Sequence, residues 1–161
     1  MKKYIVLGAL AITLFTSCDD TRKVLHENYL EFVMHTDSLE VVHEAMVVSH
    51  EAAKSDTRTL SQKLKDVEDT DSIAMADLQQ HQLLLKEQAQ TLSKLKGIIE
   101  SHAELKGYFM SDSISVEQME QQLTDMEANN EEIAARLNQI KTELKKIEAE
   151  QEILKNQDAE E

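Results

Sequence analysis

Not one proline occurs in this 161-residue chain, and only three glycines do. Proline in a helix interior removes a backbone donor and clashes with the preceding turn, and glycine weakens a helix by about 1 kcal/mol, so a chain nearly free of both can hold very long helices. The same scarcity argues against folds built on β-turns and against glycine-rich phosphate loops. A single cysteine excludes an internal disulfide framework. Lys and Arg number 17 against 31 Asp and Glu, a net charge of -14. A phosphate backbone would be repelled, so no nucleic-acid partner is expected.

Heptads give these helices their places. From about Val24 to Val67, the d positions Leu25, Phe32, Leu39, Met46, Ala53, Leu60 and Val67 are all apolar, while the a positions Tyr29, Thr36, His43, His50, Thr57 and Leu64 are mostly polar. Val33, Val42 and Val47 are expected to widen that stripe. A second helix, about 72–106, carries Leu78, Leu85, Leu92 and Ile99 at a, and Ala74, His81, Gln88, Leu95 and His102 at d. Leu84, Ile98 and Leu105 at g broaden its apolar face, as contact with two neighbours requires. A third, about 116–155, has Val116, Leu123, Asn130, Leu137, Leu144 and Gln151 at a, and Met119, Met126, Ile133, Ile140, Ile147 and Leu154 at d.

The breaks are short. Residues 68–72 offer N-cap oxygens and no apolar side chain; Gly107 suits a helix C-cap; Ser115 and Gln118 form a capping box. Short connections make neighbouring helices antiparallel. The expected fold is all-α, an antiparallel up-down-up three-helix bundle or coiled coil over residues 24–161, roughly 50 to 65 Å long at 1.5 Å rise per residue.

Folding the first two helices back about Asp69 sorts facing layers by polarity. Leu60 meets Leu78, Ala53 meets Leu85 and Met46 meets Leu92, while Thr57 meets His81, His50 meets Gln88 and Thr36 meets His102; only His43, opposite Leu95, is mismatched. Buried polar groups without partners cost about 1 to 3 kcal/mol each, so such pairing is the mark of a consistent register. Asn130 is expected level either with Gln88 and His50 or with Leu95 and His43. Tyr29, Phe32, Tyr108 and Phe109 are expected to gather at one end, either plugging the base of the bundle or touching membrane head groups.

The first residues carry a different message. Lys2 and Lys3 precede an apolar run from Tyr4 to Phe15 that is too short for a ~30 Å hydrocarbon core, which is the format of a secretory signal. Phe15-Thr16-Ser17-Cys18 then puts the sole cysteine directly after small residues, and this resembles the lipobox of bacterial lipoproteins, with Phe15 where that family usually carries Leu. The resemblance implies cleavage of residues 1–17, a diacylglycerol on the Cys18 thiol and an acyl chain on its new amino group. Residues 18–23 are then the lipidated N-terminus and linker. Two or more acyl chains anchor stably where one holds only marginally. Loss of Lys2 and Lys3 leaves 15 basic against 31 acidic residues, so the lipid, not charge, must hold an anionic membrane.

Six histidines invite a metal reading. His43, Met46 and His50 share one stripe with donors suited to copper, but His43 and His50 lie two turns apart, about 10.5 Å, too far to share an ion without another helix. Hydrogen-bonded core layers are the expected role of these histidines, and no metal or cofactor is expected. Asp66, Glu68, Asp69 and Asp71 read as a solvated helix cap, since the glycine and terminal Glu of a calcium loop are missing. Without a phosphate loop, a free thiol or a serine elbow, no enzyme is expected.

Over nearly its whole length the chain resembles the small, acidic, all-helical envelope lipoproteins of bacteria whose coiled-coil parts are labelled after viral A-type inclusion proteins. The Lys-Lys start with Cys18, the His-Glu-Ala-Met run at 43–46 and the tail EIAARLNQIKTELKKIEAE at 132–150 carry that likeness. It implies an anchored helical protein of the cell envelope, the outer membrane favoured, in a structural or protein-interaction role with envelope partners. The alternative is a periplasmic chaperone or a metal- or stress-sensing helical protein. Self-association through the third helix is a secondary expectation, because a parallel homomer would oppose Arg136 to Lys141 and Glu143 to Glu148.

Overall fold

A computed structural model describes the backbone of residues 2–65, 72–111 and 113–157, and the side chains of 20–65, 72–111 and 113–156. It is all-helical among these residues: α1 spans Lys2–Lys65, α2 Ser72–Glu104, α3 Lys106–Phe109 and α4 Val116–Gln157. No helix among the described residues is long and apolar enough to cross a membrane. The acidic turn at 66–71 and the Cys18 side chain lie outside the described residues.

The expected boundaries are met within a few residues except at the start. Residues 18–23, expected as a linker, belong to α1. Asp19, Asp20, Thr21, Arg22 and Lys23 include no glycine or proline to stop a helix. Gly107 is not a left-handed cap either, for no described residue has a positive φ. Instead α3 follows α2 directly, with Phe109 N–H donating to Leu105 O at 3.1 Å and Met110 N–H to Lys106 O at 3.0 Å. The capping box forms: Ser115 N–H donates to Gln118 Oε1 at 2.8 Å and Gln118 N–H to Ser115 Oγ at 3.3 Å.

The chain divides into two compact units, Met1–Ser38 with Ile99–Glu131, and Leu39–Ile98 with Glu132–Glu161. In the first, Leu25, Tyr29, Phe109, Met119, Leu123 and Met126 form the core, and Phe32, Val33 and Leu105 pack against it. Tyr29 stacks on Phe109 with ring centroids 4.4 Å apart and planes 12° off parallel, an offset arrangement that adds to what area burial supplies. Tyr108 departs from the expected cluster and is 54% exposed. In the second, Leu60, Leu78, Leu85, Leu92, Ile133, Leu137, Ile140, Leu144 and Ile147 are buried at a and d positions. Val42 and Val47 flank the seam rather than fill it and are exposed.

Candidate functional site: the buried polar layers

The a and d positions of α1, α2 and α4 carry nine buried polar residues, among them every one assigned to a layer by the heptads: Thr36, His50, Thr57, His81, Gln88, His102 and Asn130; a tenth, Ser61, is buried at an e position. Helix period alone puts them inward. Once there, each needs a partner, and the partners define what the layers do.

In the first unit one network links three helices. Asn129 Nδ2 lies 3.2 Å from His102 Nε2 and Thr36 Oγ1 lies 3.1 Å from His102 Nδ1. Burial lowers the His102 pKa, so the ring is neutral. An amide donating to Nε2 leaves the ring proton on Nδ1, donated to Thr36. Thr36 in turn reaches Asn130 Oδ1 at 3.0 Å, and Asn130 Nδ2 donates to Phe32 O at 3.4 Å. Tyr29 hydroxyl donates to His102 O at 3.5 Å; burial, and secondarily Asp37, raises its pKa.

The expected Thr36–His102 pairing is therefore present, but both expected registers for Asn130 are corrected. Asn130 lies level with Thr36, one or two heptads from the layers proposed for it. Its amide can accept from a hydroxyl and donate to a main-chain carbonyl at once, and only the Thr36 layer supplies both next to His102.

In the second unit the layers are filled differently from the expected pairs. His43 Nε2 donates to Leu92 O at 2.9 Å and His50 Nε2 to Leu85 O at 2.7 Å. Thr57 accepts from Gln151 Nε2 at 2.7 Å, and both donate to Ala53 O. His81 Nε2 meets Glu150 Oε2 at 2.6 Å and Gln88 Nε2 donates to Glu143 Oε2 at 2.9 Å. So Thr57 bonds Gln151 rather than His81, and neither His50 nor Gln88 uses the other. The cause is reach: imidazole and glutamine span to a carboxylate at the g edge of α4 or to a carbonyl one helix away. His81 Nδ1 and Gln88 Oε1 remain buried without a partner.

His43, Met46 and His50 are not turned toward one another as a ligand set. The two Nε2 atoms carry protons given to main-chain oxygens, and Met46 is half-buried. Among the described residues no group of three or more His, Cys, Asp or Glu converges as a metal site does.

Residues absent from the expected layers complete them: Asn129, Glu143, Glu150 and Gln151. A signal was present for three. Gln151 occupies an a position, and Glu143 and Glu150 are seven residues apart, as are the Gln88 and His81 they bind. Thr36–Asn130 and Thr57–Gln151 both span 94 residues, one in each unit. Comparison with protein-family models, curated proteins and solved structures finds no match to this chain.

Proposed function

We propose that this chain is a non-catalytic, lipid-anchored helical lipoprotein of the bacterial cell envelope that serves a structural or protein-interaction role. Its anchor is Cys18, after cleavage of residues 1–17, and its partners are the membrane, through that lipid, and other envelope proteins. Within each unit the helices run up, down and up as an antiparallel bundle. His43 to Leu92 and His50 to Leu85 support the reversal between α1 and α2; Arg22 to Ile114 with Thr36 to Asn130 in the first unit, and Ala53 to Gln151 with Asp56 to Lys155 in the second, support parallel α1 and α4 within each.

The observation that carries the non-catalytic part is the use made of the buried polar side chains. Imidazoles, amides and hydroxyls that an active site would hold ready for a substrate are bonded across helices to each other and to main-chain carbonyls. They specify which helix lies against which, a role buried polar residues serve in coiled coils at some cost in stability.

Metabolic labelling with radioactive palmitate of cells expressing the full chain or Cys18→Ser tests the anchor. The unaltered chain is expected to take up the label and Cys18→Ser to take up none. Equal labelling of the two, or none in either, would remove the lipid anchor from the account.

A further inference from the structure

Between the α1 and α2 segments of the second unit lies an open groove. One part, about 430 Å³, is lined by the buried Thr57 and Leu85 and by the exposed Lys54, Arg58, Lys86 and Ala89. At Gln82 it meets a second hollow of about 570 Å³ that reaches Lys65 and Ser72. From His50 to Lys65 the groove follows α1 for about 22 Å at 1.5 Å per residue.

A row of four basic residues is unexpected on a chain of net charge -14. Lys54, Arg58 and Lys65 recur at spacings of four and seven, which sets them along one stripe of α1. Glu51 contacts Lys54 at 3.1 Å, but both are more than half exposed, and such a pair contributes little and exchanges readily.

We propose that this groove docks an acidic amphipathic helix of a partner protein. Such a helix would lay a row of apolar side chains on Ala89 and the aliphatic stems of Lys54, Arg58 and Lys86, and bring carboxylates at helical spacing to Lys54, Arg58, Lys65 and Lys86. A row of cations over several turns fits carboxylates spread along a helix better than the single head group of a small anion. A second copy of this chain is a poor occupant, because its own net negative charge opposes approach. The inference rests on the interaction role proposed above and gives that role a partner class. It does not depend on the lipid.

The test uses the full chain in a detergent of uncharged head group, titrated into a fluorescent synthetic helix of about 16 residues that carries leucines on one face and glutamates beside them. A matched peptide has lysine at each glutamate. The glutamate peptide is expected to bind, more weakly as salt rises, and the lysine peptide not to bind. The triple change Lys54→Gln, Arg58→Gln and Lys86→Gln should weaken binding at least about tenfold, while Lys23→Gln with Lys106→Gln leaves it unchanged. Unaltered circular dichroism shows that the triple variant still folds. Equal binding of both peptides, no binding of the glutamate peptide, or equal affinity of the triple variant overturns the proposal. So does loss of binding to phosphatidylglycerol vesicles in the triple variant without loss of peptide binding, which would make the groove a membrane contact. Absence of peptide binding by a chain that still takes up palmitate at Cys18 overturns the groove and leaves the anchor standing.

Discussion

Thr36 Oγ1 lies 3.1 Å from His102 Nδ1, a hydrogen bond between residues 66 apart that ties α1 to α2. Asn130 joins the same hydroxyl at 3.0 Å from α4. Removing Asn130 takes one bond from Thr36 and one from the Phe32 carbonyl, which keep the 2.9 Å bond from Thr36 Oγ1 to Phe32 O between them, so the cost is about 1 kcal/mol for each lost bond rather than that of a stranded group. Asn130→Ala is expected to lower the urea midpoint accordingly. In a double-mutant cycle with Thr36→Val the two losses should fall short of additive by about 1 kcal/mol. Additive losses would mean that the bond between them contributes nothing.

His102 makes the first unit sensitive to acid. Burial lowers its folded pKa below the unfolded value of 6.5. At pH well above 6.5 both states are neutral and the layer's full contribution is present. As pH falls below 6.5 the unfolded chain takes up a proton first, so stability falls as pH falls through the lowered folded pKa. A proton on Nε2 would also face the Asn129 amide hydrogens. Urea unfolding at about pH 7.5 and about pH 5 should show a loss on acidification that shrinks in His102→Gln. An unchanged loss in that variant would move the effect to other histidines.

In the second unit Gln151 donates to both Thr57 and Ala53 O, fully buried and 94 residues from Thr57. Gln151→Ala should cost about 2 to 3 kcal/mol, combining two lost bonds with a cavity. Gln90→Ala at the exposed face of α2 should change the melting temperature little. Calorimetry on the two variants distinguishes a layer from a surface glutamine.

The aromatic pair offers a sharper contrast. Phe109 is 5% exposed and stacks on Tyr29, whereas Tyr108 beside it is 54% exposed. Phe109→Ala should cost about 3 to 5 kcal/mol and Tyr108→Ala less than about 1. Comparable losses at the two positions would contradict the stacked core.

What was legible in the residues was the seam. Every described a and d position of the three long helices is buried or half-buried, because the 3.5-residue period of apolar side chains survives any choice of neighbours. The Thr36–His102 layer was also legible, since folding the chain about Asp69 leaves few polar residues to face each other. The α4 register was not. Asn130 fits several layers by polarity alone, and its place is marked by the Thr36 hydroxyl and the Phe32 carbonyl that it binds together. The partners of His81 and Gln88 were hidden for a related reason. Glu150 and Glu143 occupy g positions that read as solvated, and only side-chain reach brings them to buried groups.

Intact-mass spectrometry of the chain purified from bacterial membranes tests the central claim most directly. The account predicts a chain that begins at Cys18 and carries a diacylglyceryl group and an N-acyl group, with Cys18→Ser lacking both. A chain that retains residues 1–17, or one cut elsewhere with Cys18 as a free thiol, would contradict it.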